Sequence, residues 1–131
     1  LGIAARNISL GIATLLIDSG ADIEARDHEA TALFYAAWNN SLDVATLLVD
    51  RGADIEAKSD HDDRTALHLA ATYNALGVAT LLIDSGADIE AKSKYGSTPL
   101  HEGAEQNSLD VVTLLIDRGA NTEGIDLSWM N

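Results

Sequence analysis

The sequence predicts an all-α fold, a solenoid of stacked helix–turn–helix units joined by β-hairpin or extended loops. One observation is a string of the form Thr-Leu-Leu-(Ile/Val)-Asp-(Ser/Arg)-Gly-Ala, which recurs at nearly equal intervals and begins at Thr14, Thr46, Thr80 and Thr113. Another is a second string, which begins at Thr31, Thr65 and Thr98. In addition, the apolar residues of these strings fall at helical spacing. One short helix pair cannot bury both of its faces, so neighbouring units must stack to form a core.

The repeats organise nearly the whole chain of 131 residues. We expect one repeat domain over residues 1–124 and a C-terminal tail over residues 121–131. The four expected units are approximately residues 1–21, 22–53, 54–87 and 88–120. Because Leu1 falls inside a repeat and is not an initiator methionine, we expect the chain to be a piece of a longer protein.

A second period, twice as long as the first, is superimposed on it. Thr14–Ala25 is identical to Thr80–Ala91, so units 1 and 3 resemble each other closely. Units 2 and 4 instead share Asn-Ser-Leu-Asp-Val, which starts at Asn40 and Asn107. This alternation indicates that a two-unit block was duplicated, either by evolution or by an engineer.

The first helix of each unit is predicted to be short and rich in alanine, which lets neighbouring helices approach closely. Thr65 and Thr98 precede apolar residues at helical spacing, and threonine is a favourable N-cap. Pro99 then occupies the first helical position, where its missing N–H group costs nothing.

A tight turn and a second helix follow. The turn is predicted at an asparagine, because this residue tolerates the left-handed conformation; the positions are Asn40, Asn74 and Asn107. Ser41 and Ser108 are expected to cap the second helix, and a glycine such as Gly52 is expected to end it. Gly11 and Gly77 weaken the start of two second helices by roughly 0.5–1 kcal/mol each relative to alanine.

Composition excludes several classes of partner and chemistry. Asp and Glu number 21 against 8 Lys and Arg, so the net charge is −13. Such an acidic surface repels phosphate, and we expect neither nucleic acid nor a membrane as a partner. No apolar run is long enough to span a membrane, and no signal peptide is evident. The chain has no cysteine, which excludes disulfides and thiol catalysis and fits an intracellular (cytoplasmic or nuclear) location.

Few residues could carry chemistry. His68 and His101 lie at expected helix starts, where a structural role explains them. The acidic run Asp60-His61-Asp62-Asp63 lacks the glycine and glutamate of a calcium-binding loop, since Thr65 and Ala71 occupy those positions. It also lacks the spacing of a zinc site, and the chain has no glycine-rich phosphate loop. We therefore expect no enzyme, no metal and no cofactor.

These motifs resemble the ankyrin repeat, most closely at Thr98-Pro99-Leu100-His101, and the resemblance covers roughly residues 1–124. It implies a helix–turn–helix with a β-hairpin loop in each unit. It also implies a concave face, formed by hairpin tips and first helices, that binds other proteins. Gly2 and Phe34 replace the family's histidine, and Ile8 replaces the turn asparagine. We expect unit 1 to be the least stable, since it is terminal and incomplete.

Positions that differ between units are free to face a partner. Trp38, Tyr73 and Tyr95 occupy such positions and are three of six aromatic residues, a class that anchors interfaces. We expect an aromatic-centred groove that binds a basic or amphipathic segment, with Glu102 in its acidic rim and Arg64 in its basic minority. The predicted partner-binding residues are Tyr35, Trp38, Asn39, Thr72, Tyr73, Glu105 and Gln106 near the first helices, and His28, Glu29, Asp60, His61, Asp62, Asp63, Lys94 and Tyr95 at the hairpin tips.

Other interpretations remain open. The chain could be an architectural spacer of a longer repeat array, or an engineered or duplicated scaffold without a natural ligand. We expect a monomer, with end-to-end association through the terminal repeats as the alternative. The apolar tail residues Leu127, Trp129 and Met130 either fold back as a cap over the last repeat or begin a fifth unit.

Overall fold

The computed structural model describes residues 10–26 and 30–130. Within these ranges the ordered elements are helices, and none is a β-strand, so the predicted all-α class is confirmed. The elements are α1 (Leu10–Asp18), α2 (Ala32–Asn39), α3 (Leu42–Asp50), α4 (Ala66–Thr72), α5 (Leu76–Asp84), α6 (Pro99–Glu105), α7 (Leu109–Asp117) and a short 3₁₀ helix (Ser128–Met130). The predicted shortness of the first helices is confirmed, since α2 has 8 residues and α4 and α6 have 7 each.

The helices form two layers. Helices α2, α4 and α6 pack against one another in the first layer, and α1, α3, α5 and α7 follow one another in the second. Each helix of the first layer also packs on the second helix of its own unit, as α2 does on α3, α4 on α5 and α6 on α7. The core therefore runs as a continuous strip between the layers, as expected for a solenoid.

The predicted threonine caps form where the unit also carries a histidine. The Thr65 hydroxyl accepts a hydrogen bond from the backbone N–H of His68, and the His68 Nδ1 atom accepts one from the backbone N–H of Thr65. Thr98 and His101 form the same reciprocal pair. Thr31 makes no side-chain capping bond. Phe34 stands where the histidine would be, and its side chain cannot accept the reciprocal bond from the Thr31 N–H.

The predicted left-handed turns are confirmed, whereas the predicted serine caps are wrong. Asn40, Asn74 and Asn107 have φ angles of 53°, 54° and 56°. Neither Ser41 nor Ser108 makes a side-chain capping bond.

The second helices α5 and α7 are instead capped by the preceding unit. The Asn40 Oδ1 atom accepts a hydrogen bond from the Val78 N–H at 3.2 Å, and Asn74 Oδ1 accepts one from Val111 at 3.1 Å. The acceptor that Ser108 would provide is therefore not needed at the start of α7. Ser108 uses its hydroxyl to contact the Thr72 carbonyl at 3.4 Å.

Glycines follow the C-caps of the second helices, as predicted. Arg51 caps α3, and Gly52 follows it with a φ angle of 91°. The Gly52 N–H donates to the Val49 carbonyl and the Ala53 N–H to the Leu48 carbonyl, which is the Schellman arrangement. Only glycine takes this conformation without steric cost, which explains its recurrence in every unit.

Loops tie adjacent units together beyond the helices. Ser59 and Ser93 each donate a backbone hydrogen bond back across their own loop, to Arg64 and Ser97 at 2.9 Å. The Lys94 N–H donates to the Asp62 carbonyl of the neighbouring loop at 2.8 Å. Carboxylates join the same parts of successive units through three bonds, in which the amides of Asp54, Asp88 and Asn121 donate to Glu24, Glu56 and Glu90.

Candidate functional site

Three aromatic rings form a stack across the junction of units 2 and 3. The centroids of Tyr35 and Trp38 lie 6.4 Å apart with planes 13° from parallel. Those of Trp38 and Tyr73 lie 5.3 Å apart with planes 11° from parallel. We call Tyr35, Trp38 and Tyr73 the aromatic face.

Local structure explains how the aromatic face is assembled. Tyr35 and Trp38 lie three residues apart in α2, so their side chains project from the same side of the helix. Tyr73 caps the end of α4, directly before the left-handed turn at Asn74. Packing of α2 against α4 then brings Tyr73 onto Trp38. The sequence could indicate the first pair by spacing, but the contact between units depends on how the helices stack.

The three rings differ in burial. Tyr35 is only 7% exposed, whereas Trp38 is 51% and Tyr73 47% exposed. Tyr35 therefore supports Trp38 from below. Tyr35 was predicted to line the partner-binding surface, but its side chain is buried. The half-exposed rings of Trp38 and Tyr73 present flat apolar surface to solvent.

A buried carboxylate in the next first helix, Glu102, pairs with the partly exposed Arg64. Glu102 of α6 occupies the position that Leu69 holds in α4 and Tyr35 in α2. Its carboxylate is almost completely buried, and its Oε1 atom lies 2.6 Å from Arg64 Nε. Burial raises the pKa of Glu102 above its ordinary value, although the charge of Arg64 opposes this effect. Arg64 also lies 3.8 Å from Asp62.

The remaining predicted residues of the hairpin tips lie in loops and differ in their exposure to solvent. Asp60 pairs with Arg26 at 3.6 Å, and Asp63 has a φ angle of 54° within its turn. Tyr95 is exposed and does not join the aromatic stack. His61 and Lys94 are also exposed. The predicted residues His28 and Glu29 lie outside the described residues.

The first helices carry the other predicted residues near their C-terminal ends. Asn39, Glu105 and Gln106 are exposed. Thr72 is half-buried, and its hydroxyl donates to the His68 carbonyl at 3.0 Å. The acidic and amide side chains therefore line the same ends of the first helices as Trp38 and Tyr73.

His68, a residue type that often acts in catalysis, has a structural role here. His68 is fully buried and its Nε2 atom lies 2.8 Å from the Ser97 carbonyl oxygen. Burial lowers the pKa of His68 below its ordinary value. Across residues 10–26 and 30–130 no three histidine, aspartate or glutamate side chains are arranged to hold a metal ion. No helix in the same ranges has both the length and the apolar character to span a membrane.

The C-terminal tail packs beside α6. Leu127, Trp129 and Met130 are partly buried against the core, and the Trp129 Nε1–H donates to the Asp126 carbonyl at 3.1 Å. A cavity of about 380 Å³ separates the tail from the end of the last repeat. Its lining residues are His101, Ala104, Glu105, Asn107, Gly124, Ile125, Asp126 and Trp129.

Comparison with known families agrees with the geometry. The family described as Ankyrin repeats (3 copies) matches residues 1–59 and 56–126. Comparison with curated proteins returns no significant match. The family matches cover nearly the whole sequence and coincide with the stacked helix pairs. The chain therefore belongs to the ankyrin repeat family, whose members generally mediate protein–protein interaction and are generally not catalysts.

Proposed function

We propose that this chain is a non-catalytic interaction module that binds a basic or amphipathic segment of another protein through its aromatic face and the adjacent loop tips. The observation that carries the proposal is the stack of Trp38 on Tyr73, two half-exposed rings held in place across a repeat junction. Stacked rings lose little conformational freedom on binding, so they can contribute affinity at a low entropic cost.

The charge around the aromatic face supports a basic partner. Exposed Glu105 follows the aromatic face in the next unit, and Asp60 and Asp63 are exposed at a loop tip. The chain as a whole carries a net charge of −13. Opposite charges on a partner would speed association, and added salt would slow it.

The aromatic rings also favour cationic side chains directly. Arginine and lysine are attracted to the face of an aromatic ring, most strongly to that of tryptophan. A partner segment that alternates basic and apolar residues could place either kind on Trp38 and Tyr73. The amphipathic segment is therefore the kind of ligand that suits both the rings and the surrounding acids.

A photocrosslinking experiment tests this proposal. The photoreactive residue p-benzoylphenylalanine replaces Tyr73 in one sample and the exposed Asp43 of α3, in the other helix layer, in a matched control. Both proteins are irradiated in reducing cell lysate, and crosslinked peptides are identified by mass spectrometry. We expect peptides rich in Lys or Arg from position 73 and none of these from position 43.

Substitution of the rings provides the second arm. The double variant Trp38→Ala/Tyr73→Ala should weaken binding of any crosslinked peptide by at least tenfold, in keeping with an aromatic anchor. Binding by the wild type should also be weaker at moderate salt than at low salt. Unchanged affinity in the double variant would refute the aromatic face as the binding surface. If neither position captures a partner, an architectural spacer or a scaffold without a ligand becomes the better explanation.

The organisation of the chain follows from the same proposal. We infer that residues 1–124 act as one repeat domain and that the tail over residues 121–131 caps it. The packing of Leu127, Trp129 and Met130 against the last repeat supports the cap. An intracellular location is also inferred, and the absence of cysteine supports it.

A further inference from the structure

Units 3 and 4 are tied together by hydrogen bonds whose donors have no counterpart between units 2 and 3. The Nε2 atom of His68 lies 2.8 Å from a main-chain carbonyl oxygen in the loop of unit 4. Phe34 occupies the corresponding position in α2, and its side chain cannot donate. The Ser108 hydroxyl donates to the Thr72 carbonyl at 3.4 Å. Ala75, which has no hydroxyl, occupies the corresponding position before α5.

The ends of the second helices show the same difference. Arg118, the C-cap of α7, pairs with Asp84 at the end of α5, and the two atoms lie 2.6 Å apart. The C-cap of α5 is Ser85, and the residue at the end of α3 that corresponds to Asp84 is Asp50. A serine and an aspartate cannot form an ion pair, so units 2 and 3 are not tied together in this way.

The turns between the helices add one more difference. Asn74 donates through Nδ2 to the Asp110 carboxylate of unit 4 at 3.3 Å. Gly77, which has no side chain, occupies the position of Asp110 in α5. Asn40 therefore lacks the carboxylate that its counterpart Asn74 binds.

Units 2 and 3 are held together mainly by apolar packing and by the aromatic face, which spans their junction. Among residues 10–26 and 30–130, their loops are joined by the bond from the Asp54 N–H to Glu24, a kind that units 3 and 4 also form. The exposed pair of Arg26 and Asp60 adds a contact at 3.6 Å. Polar side chains thus tie this junction less firmly than the next one.

We propose that the chain opens as a hinge at the junction between units 2 and 3, and that the aromatic face forms only while this hinge is closed. The stability of a repeat protein is approximately a sum of unit terms and interface terms, so the more weakly tied of two interfaces opens more often. One net hydrogen bond changes such an equilibrium by roughly twofold to tenfold. Opening moves Tyr73 of unit 3 away from Trp38 of unit 2. The hinge is a property of the free chain and does not depend on what the aromatic face binds.

Two matched amides report the opening of the two junctions. The Val78 N–H donates to Asn40 Oδ1 across the junction of units 2 and 3, and the Val111 N–H donates to Asn74 Oδ1 across the next one. Both amides lie in the first turn of a second helix, where no carbonyl of the same helix is within reach. Each amide is therefore exposed to exchange with solvent when its own junction opens.

Native-state hydrogen exchange of the full chain, followed by NMR without any partner, is the test. We expect the protection factor of the Val78 amide to be at least tenfold below that of Val111. Amides inside α3 and α5, such as those of Leu48 and Leu82, should stay protected while Val78 exchanges, because the helices on both sides of a hinge remain folded. Equal protection of Val78 and Val111 would overturn the proposal. Exchange of Leu48 together with Val78 would also overturn it, since unit 2 would then be unfolding.

A substitution at the far end of α5 tests whether the junction opens as a whole. Ser85→Arg supplies the ion pair that this junction lacks, with Asp50 as the acceptor. We expect it to raise the protection of Val78 by about twofold to fivefold and to leave that of Val111 unchanged. Because Ser85 and Val78 lie at opposite ends of α5, this effect indicates concerted opening and not a movement of Asn40 alone. Ser85→Gln is the matched control, since glutamine adds length without charge.

The reverse substitution is available at the next junction. Arg118→Ser removes the ion pair with Asp84, so it should lower the protection of Val111 and leave that of Val78 unchanged. Unchanged protection of Val78 in Ser85→Arg would contradict the hinge, as would an Arg118→Ser variant that loosens both junctions equally. None of these results affects crosslinking at position 73, so failure of the hinge and failure of the proposed function are distinguishable.

Discussion

The Nε2 atom of His68 lies 2.8 Å from the main-chain carbonyl oxygen of Ser97 in the next unit. The Nδ1 atom accepts from the Thr65 N–H, so the proton of the neutral ring is on Nε2 and is donated to Ser97. One side chain thus fixes the start of α4 and the loop of unit 4 together. The histidine acts as a coupling element between repeats, and this role depends on its being neutral.

We predict that acidification destabilises the protein through His68. Burial holds the pKa of His68 below its ordinary value of 6.5, so the unfolded chain binds a proton more readily than the folded one. The contribution is present above pH 6.5 and is lost as the pH falls from there through the pKa of the folded state. Urea unfolding at a series of pH values should show this loss.

Two measurements isolate the histidine. His68→Gln should be less stable at neutral pH and should lose less stability than wild type between pH 7.5 and pH 5. If that variant does not fold, an NMR titration of the wild type should find the His68 ring neutral below the pKa of an exposed histidine. A ring that titrates at or above the ordinary value of 6.5 would contradict the prediction.

The threonine caps give a matched pair of substitutions. Thr65→Ala removes a hydroxyl that accepts from the His68 N–H, and we expect a loss of about 1–2 kcal/mol in the free energy of unfolding. Thr31→Ala removes a hydroxyl at the corresponding position that makes no capping bond, so the loss should be smaller. Urea midpoints of both variants provide the measurement, and equal losses would argue against the cap as the source of the effect.

Replacing Glu102 should stabilise the fold at neutral pH. Its pKa is raised by burial, so the ionised form is disfavoured in the folded state. Glu102→Leu restores the residue type found at Leu69, and we expect a gain of about 1 kcal/mol, because the buried Glu102 Oε2 atom has no hydrogen-bond partner among the described residues. Arg64 is 36% exposed and keeps solvent and Asp62 as partners when the carboxylate is removed.

The pH dependence of the Glu102 effect has a definite sign. The cost of ionising the buried carboxyl is absent below the ordinary pKa of 4.5 and is fully present above the raised pKa of the folded state. The advantage of Glu102→Leu should therefore grow as the pH rises through this window in thermal melts. Glu102→Gln is the control, because it removes the same charge beside Arg64 but keeps a polar side chain of the same size. An advantage that is largest at pH 3 would rule out this explanation.

Two helical glycines should respond to alanine in opposite directions. A Cβ atom at Gly103 would lie 3.0 Å from Val112 Cγ2 and 3.5 Å from Ala71 Cβ, so Gly103→Ala should destabilise the packing of α6 by about 1–3 kcal/mol. A Cβ atom at Gly11 meets nothing within 4 Å, and Gly11→Ala should stabilise α1 by about 0.5–1 kcal/mol. Chemical unfolding in dilute solution compares the two, and a gain in both would mean that the contact at Gly103 relaxes freely.

Local features were predictable where one residue determines its own conformation. The left-handed turns at Asn40, Asn74 and Asn107 follow from the tolerance of asparagine for positive φ. At Thr31 the reciprocal pair cannot form, because the Phe34 side chain has no acceptor for the Thr31 N–H. The cap predicted at Ser108 was wrong because Asn74, in the preceding unit, supplies the acceptor for α7. Sequence proximity suggested Ser108, but the partner of this helix start lies a whole repeat away along the chain.

By itself, the sequence determined the repeat length, the helix–turn–helix order and the family, because these depend on short-range spacing that recurs in each unit. It also placed aromatic residues at variable positions. The tertiary structure alone decided that Tyr73 stacks on Trp38, that Tyr35 lies beneath them, and that Glu102 is buried against Arg64. These relationships join side chains from neighbouring units, so they depend on the stacking of helices and not on the order of residues along the chain.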